Sequence, residues 1–399
     1  MNISILIEDE QPYIHKSLKT CLIREDIHYQ VLYASDEKAA QDILQQEKID
    51  FFICPLALYT GGSRFFQQYP ELICIALIKD YEREAVVNSL PYVHHFINEP
   101  IDIDTLKQYI ERIANIRHIL GSDIICRLCT RLNDLPSLPG IVYQVIDELS
   151  LSYPSIAKIS RLIEHDSSIA SRIIQIVNSP AFGLGNRVHN IEQAIALLGL
   201  DMTKTIVIYA GINNYLHSPA HILATAESIN NNSFTIGNLA MRITLSETGN
   251  HTLAQQAKIA GILNNIGYML LLNNPQTQTE LRNILTADKM TLLEAEQLLT
   301  GITHAELGAY FLGIRGFRPE ILEAVAYYYR PQTRPINEFN VLTALHIAHV
   351  LAPSPLRSII PFKKSEFHLP YLDRLGLLNR IETWELIAEE VLGGMVLNS

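Results

Sequence analysis

The sequence predicts a multidomain chain in which an α/β fold with a doubly wound parallel sheet is followed by an all-α region. Short apolar runs alternate with helical patterns over about the first 115 residues. From Leu135 onward apolar positions recur at three- and four-residue steps, with no strand-like alternation of useful length. Size allows both folds: 399 residues, 48% hydrophobic and 18% charged, suffice for two or three packed cores and argue against extensive disorder.

Ile3–Ile7 reads as the first strand, ending at the acidic run Glu8-Asp9-Glu10, and Pro12 opens a helical pattern through Leu22. Gln30–Ala34 (strand), Glu37–Gln46 (helix), Asp50–Cys54 and Leu72–Ile78 (strands), Glu82–Leu90 (helix) and His95–Ile97 (short strand) follow. A long helix begins at Asp104. Such alternation implies a parallel sheet covered on both faces. Ligands of these sheets bind beyond the carboxyl ends of the strands, where Asp9 and Glu10 fall. That pair reads either as a solvated acidic loop end or as a weak residual cation site.

From Asp104 to about Leu132 the positions Leu106, Ile110, Ile113, Ile116, Leu120, Ile124 and Leu128 keep helical spacing, with Gly121 as the expected interruption. The stripe either packs on its own domains or forms the seam of a homodimer through the linker helix. Cys126 and Cys129 form a C-x-x-C within it. No second ligand pair lies nearby, so two buried linker cysteines are expected rather than a zinc or redox site. The boundaries are 1–115 for the α/β domain, 116–131 for a helical linker and 132–399 for the all-α part.

In the all-α part Pro154-Ser155 starts a helix with Ile156, Ile159, Leu162 and Ile163 on one face. Asp166 is a suitable N-cap for the next, which carries Ile169, Ala170, Ile173, Ile174 and Val177. Asn190 caps residues 191–198, which stop at Gly199, and Asp201 caps the helix after that.

The first region, over about 115 residues, resembles the receiver domain of bacterial response regulators when aligned on Ile5-Leu-Ile7, Pro12 and Pro100. The resemblance implies a flavodoxin-like fold. It also implies Mg2+ held by an acidic pair, a phosphorylated Asp at the end of strand three, and a Ser/Thr and a Lys that read the phosphate. Asp9 and Glu10 match the acidic pair. The acceptor position holds Pro55, the hydroxyl position falls on Leu77 or Ile78, and Glu99 stands where Lys is expected before Pro100. Proline cannot accept a phosphoryl group and Glu repels one. On this alignment the domain is a pseudo-receiver.

Leu135-Pro-Ser-Leu-Pro139, Val177-Asn-Ser-Pro-Ala-Phe-Gly183, Asn190-Ile-Glu-Gln-Ala-Ile-Ala-Leu-Leu-Gly199, Ala260-Gly-Ile-Leu-Asn-Asn-Ile-Gly267 and His304-Ala-Glu-Leu-Gly308 occur in that order. From about residue 132 to 350 they resemble the HDOD domain, the HD-related output domain of bacterial signalling proteins. Asn178, Ser179 and Gly183 also suit a sharp, fold-determining turn, with ligand contact as the alternative.

The resemblance implies an all-helical fold of the HD superfamily, in which a His from an early helix, a His-Asp doublet and a later Asp hold the metal. Those positions fall on Ser233, Asn264-Asn265 and His349, and the paired histidines of many HDOD chains fall on Tyr328-Tyr329. A divalent cation needs imidazole nitrogens and carboxylates to replace its water shell, and Asn offers only a neutral amide oxygen. His304 and His349 remain, each expected as a hydrogen-bonded core residue. Ser233, Asn264, Asn265 and His349 are expected to satisfy one another in the old pocket. Asn264→Leu should then cost about 1–3 kcal/mol.

The net charge is -11, and residues 1–115 hold 18 Asp/Glu against 10 Lys/Arg, or -8 of that total. No basic run is present, so direct nucleic-acid binding is not expected. No apolar run is expected to reach the roughly 18 residues of a membrane span. The first residues lack the basic flank of a signal peptide, and five scattered cysteines fit a reducing cytoplasm. The resemblance implies a non-catalytic, cytoplasmic signal-transduction protein of bacteria that acts by protein–protein interaction. Its partners would be other signalling proteins, including cyclic-di-GMP or two-component pathway members, and no cofactor or metal is expected. Two alternatives stay open. A small-molecule or nucleotide sensor would use the emptied pocket but lacks a Gly-rich phosphate cradle. A residual metal-dependent phosphohydrolase lacks ligands.

Overall fold

The structure is a computed structural model that describes residues 2–8, 13–23, 27–56, 69, 72–78, 95–98, 101–121, 124, 128, 140–149, 151, 153–178, 188–215, 220–271, 275–287, 290–353 and 366–396. Two compact units divide the chain, Met1–Leu135 and Pro136–Ser399.

In the first unit β1 (Asn2–Glu8), α1 (Tyr13–Cys21), β2 (His28–Ala34), α2 (Glu37–Gln46), β3 (Phe51–Pro55), β4 (Ile73–Ile78), β5 (His95–Asn98) and α3 (Ile103–Leu120) follow one another. The strands form one parallel sheet in the order β2-β1-β3-β4-β5. Ile5, Leu6, Ile7, Phe51, Phe52, Ile53, Cys54, Ile75 and Ala76 are buried. Near-continuous apolar strands are what a sheet covered on both faces requires. Asp36 starts α2 by accepting the Ala39 N–H at 2.9 Å.

At the amino end of β3, buried Asp50 accepts the Ser4 N–H at 2.8 Å and pairs with Arg117 of α3. The α3 stripe of Leu106, Ile110, Ile113, Ile116 and Leu120 is buried in the chain's own core, and the helix ends at Gly121 with φ 85°. Glu82–Leu90, Cys126 and Cys129 lie outside the described residues.

The second unit contains α4 (Gly140–Leu149), α5 (Ile156–Glu164), α6 (Ser167–Val177), α7 (Ile191–Tyr215), α8 (Ala220–Thr248), α9 (His251–Leu263) and α10 (Ile266–Leu271). It continues with α11 (Pro275–Ala287), α12 (Leu292–Thr300), α13 (His304–Gly313), α14 (Pro319–Tyr327), α15 (Val341–Leu351), α16 (Leu369–Arg374) and α17 (Ile381–Val396). Ser155, Asp166 and Asn190 cap as expected, each accepting a backbone N–H of the following turn. Asp201 instead faces Arg318 at 3.8 Å.

Asn178 closes its loop in the manner of a strand residue. Its amide donates to the Val188 carbonyl and accepts the Val188 N–H, both at 2.8 Å. Ser179 to Gly183 lie outside the described residues.

The expectation about apolar runs needs correction at α7. Ile191–Ile212 is long and apolar enough to cross a membrane by length and composition, with mean hydropathy 1.6. Individual polar residues within it, such as Glu192 and Lys204, hide its overall apolar character from a search for unbroken runs. Its path is that of a core helix: it breaks at Gly199 (φ 72°, ψ 172°), and Ile206, Val207, Ile208, Tyr209 and Ala210 are buried within the unit.

Among the helices, α8 packs along α9, α15 lies against both, and α13 contacts α10 and α14. Half-buried Glu247 on α8 accepts from Trp384 Nε1 at 2.8 Å and from Arg380 Nε at 3.1 Å. This anchors α17.

Candidate functional site

The junction of α9, α10, α13, α14 and α15 gathers the residues that the sequence placed in an HD-type pocket. A Cβ on Gly267 would collide with the His304 carbonyl and the Gly308 nitrogen, so α10 and α13 meet through bare backbone. That approach sets the Tyr268 and His304 rings edge to face, 5.7 Å apart.

His304 sits at the start of α13, behind a Thr303/Glu306 capping box. Its N–H donates to Glu296 Oε2 at 3.0 Å, and its Nδ1 lies 2.8 Å from the same oxygen. Its Nε2 lies 2.9 Å from the Tyr328 hydroxyl. Both His304 and Glu296 are only 1% exposed. A carboxylate can only accept, so Nδ1 carries a proton. In the neutral ring Nε2 then accepts from Tyr328, giving a chain that runs Tyr328 to His304 to Glu296.

The two asparagines behave differently. Asn265 donates from Nδ2 to Ser233 Oγ at 3.1 Å, as expected of a remnant pair. Asn264 is 0% exposed, yet neither its amide nitrogen nor its oxygen has a hydrogen-bond partner among the described residues. Its amide lies within electrostatic reach of the Tyr328 hydroxyl without the geometry of a hydrogen bond. The expected mutual satisfaction therefore holds for Ser233 and Asn265 but not for Asn264. The α9–α10 junction turns Asn264 toward the aromatic cluster and away from Ser233.

Aromatic rings fill the rest. Tyr328 and Tyr329 lie 4.3 Å apart, and His349 stands against both at 4.8 and 4.7 Å. Burial, then the neighbouring Tyr329, pushes the Tyr328 hydroxyl well above the ordinary phenol value. Burial likewise raises Tyr268, whose hydroxyl has no partner among the described residues. Burial, then His346 and His304, lowers His349 to about 3. His346 is lowered to about 4, chiefly by burial. Its Nε2 accepts the His368 N–H at 3.1 Å, which assigns the ring proton to Nδ1, 2.8 Å from the Tyr328 carbonyl.

The donor set does not fit an HD-type metal. Among the described residues no three His, Cys, Asp or Glu side chains cluster as ligands. The Glu296 carboxylate is taken up by His304, and Asn265 directs its amide N–H, not its oxygen, at Ser233.

At the sheet, Pro55 ends β3 in register with buried Leu77 of β4, and the Leu56 N–H bonds the Leu77 carbonyl at 2.9 Å. Asp9, Glu10 and Glu99 lie outside the described residues.

Sequence reasoning missed Glu296, Tyr268 and His346. Glu296 carried a usable signal: it falls on the apolar stripe of α12 with Leu292, Leu293, Ala295 and Thr300, where a carboxylate needs a partner.

Residues 135–331 match the HDOD domain family, and this part of the chain is an HDOD domain. A solved structure from Shewanella amazonensis SB2B, described provisionally as a phosphohydrolase, shares the fold. It is 21% identical with a TM-score of 0.50, over 67% of this chain and 96% of that one. An HDOD domain protein of unknown function from Geobacter sulfurreducens is 17% identical with a TM-score of 0.47, over 74% of this chain and 96% of its own. An uncharacterized protein of Treponema pallidum (strain Nichols) is 22% identical over 183 residues, 46% of this chain and 35% of that relative. The chain thus spans about a third of the length of that curated relative.

Proposed function

We propose that the chain is a non-catalytic regulatory protein of bacterial signal transduction, working in the cytoplasm by binding other signalling proteins. One observation carries this reading: Glu296, His304 and Tyr328 of the old pocket are engaged with one another, not aimed at a shared cation. Glu296 takes two protons' worth of contact from His304, and Tyr328 occupies the other imidazole nitrogen. Ser233, Asn264, Asn265 and His349 at the HD ligand positions supply no carboxylate to bind a metal that could activate water.

The first unit is a pseudo-receiver in this reading. Its order β2-β1-β3-β4-β5 is that of doubly wound, flavodoxin-like sheets, and Pro55 and Leu77 make its carboxyl edge apolar where a phosphate would have to sit. Acetyl phosphate is expected to leave residues 1–115 without an adduct in intact-mass spectrometry.

The deciding experiment combines elemental analysis of untagged protein with a phosphodiesterase assay in added Mn2+ or Fe2+. Neither stoichiometric metal nor turnover is expected, and the Asn264→His/Asn265→Asp double variant should stay inactive because the early His and the final Asp, whose positions hold Ser233 and His349, are still missing. Metal-dependent turnover by the wild type would overturn the reading.

A further inference from the structure

Asn264 and Tyr268 stand four residues apart on backbone that stays helical through the α9–α10 junction, where Asn264 keeps αR angles and the Met269 N–H bonds the Asn265 carbonyl at 3.1 Å. Residues at this spacing share a face. Both side chains are 0% exposed, and among the described residues neither the amide nor the phenol finds a hydrogen-bond partner. Both point to one place: Tyr268 lies against His304, and Asn264 reaches toward the Tyr328 hydroxyl that bonds the same imidazole. Buried polar groups in folded proteins are nearly always paired, and a convergent exception calls for a group that pairs them.

The chemistry of that group can be read from its surroundings. A primary amide presents an adjacent donor and acceptor, and its complement is another amide-like edge. The Tyr268 hydroxyl adds a third contact. Rings of Tyr328, Tyr329 and His349 offer flat apolar faces, and Tyr329 and His349 keep part of their surface exposed. Among the described residues the charged member of the cluster is Glu296, already bound to His304, and no Lys or Arg side chain is bonded within it. A phosphate would meet no cation here, and a cation no free carboxylate.

We propose that Asn264 and Tyr268 form the floor of a binding site for a neutral planar ligand with a lactam edge, of the purine or pyrimidine base class. The inference rests on the non-catalytic reading of the pocket and adds a ligand to it. A free base and the base of a nucleoside present the same edge, and the test separates them.

Thermal unfolding of the full chain is followed with uracil, hypoxanthine, uridine or inorganic phosphate. Uracil or hypoxanthine is expected to raise the midpoint, and phosphate to leave it unchanged. A matching shift with uridine identifies a nucleoside ligand, and its loss identifies the free base; both support the site. Asn264→Leu removes an unmet amide, so it should stay folded and lose the shift, and Tyr268→Phe should reduce it. If Asn264→Leu does not fold, Tyr268→Phe carries the test alone. No shift with any lactam compound, a shift undiminished in the variants, or a shift with phosphate alone overturns the proposal. Phosphodiester turnover by the wild type would sink the non-catalytic reading while leaving base binding to be judged by its own shift.

Discussion

Two regions of this molecule depart from the families that their sequences resemble, and the described positions depart in different ways. At the carboxyl edge of the sheet Pro55 and buried Leu77 are apolar and sit in register. In the helical unit the corresponding positions stay polar and go inside: Ser233 and Asn264 are 0% exposed and Asn265 is 5% exposed. An apolar replacement leaves nothing to satisfy. A polar one must find partners or leave a desolvated group unpaired. At Pro55 and Leu77 the described sheet edge offers no side-chain hydrogen bond, whereas the helical pocket retains directed hydrogen-bonding capacity.

The comparison breaks most visibly at Glu296. Truncating it to Ala strands the His304 N–H and Nδ1 in the core and should cost ~3–5 kcal/mol in chemical denaturation, as for other broken buried pairs. A loss below about 1 kcal/mol would mean that the network contributes little to stability.

Acid should act next, and on the helical unit. His346 is held at about 4, below the ordinary value near 6.5, so the unfolded chain binds the proton first. Stability is therefore full above about pH 6.5 and falls as pH drops toward 4, by up to ~1.4 kcal/mol per pH unit for this residue. His349, held at about 3, adds to the loss, though its remaining exposure tempers the effect. Denaturation midpoints of the wild type and His346→Gln across pH 4 to 7 check the sign and window. A wild type that gains stability on acidification would reverse it.

In the sheet unit, Arg117→Leu leaves Asp50 buried with the Ser4 N–H and should cost about 1–3 kcal/mol. The finest distinction lies within the doublet. Asn265→Leu strands the Ser233 hydroxyl and should cost about 1–2 kcal/mol, whereas Asn264→Leu removes an amide with nothing to lose and should fall within about 1 kcal/mol of wild type. Equal losses at the two positions would show that Asn264 is paired after all.

Sequence patterning located every described strand, because a parallel sheet buried on both faces leaves near-continuous apolar runs. Caps at Ser155, Asp166 and Asn190 were legible for an equally local reason. Motif order singled out His304, Tyr328, Tyr329 and His349, whose rings lie together, but not Glu296, Tyr268 or His346. The pocket's wiring was not legible. Glu296 meets His304 only through packing of α12 and α13, and adjacent asparagines look alike in sequence although the α9–α10 junction sends them to different neighbours. The spanning-length character of α7 was hidden because individual polar residues interrupt an otherwise apolar helix.

The clamp on α17 has a practical consequence. Trp384 is the sole tryptophan of the chain, it is 0% exposed, and its indole N–H is bound to Glu247. Selective excitation of this indole therefore reads the helical unit alone, whereas amide circular dichroism sums over both units. A delay between the two signals during melting would measure how independently the sheet and the bundle come apart. The protein thus carries its own optical label on one of its two halves.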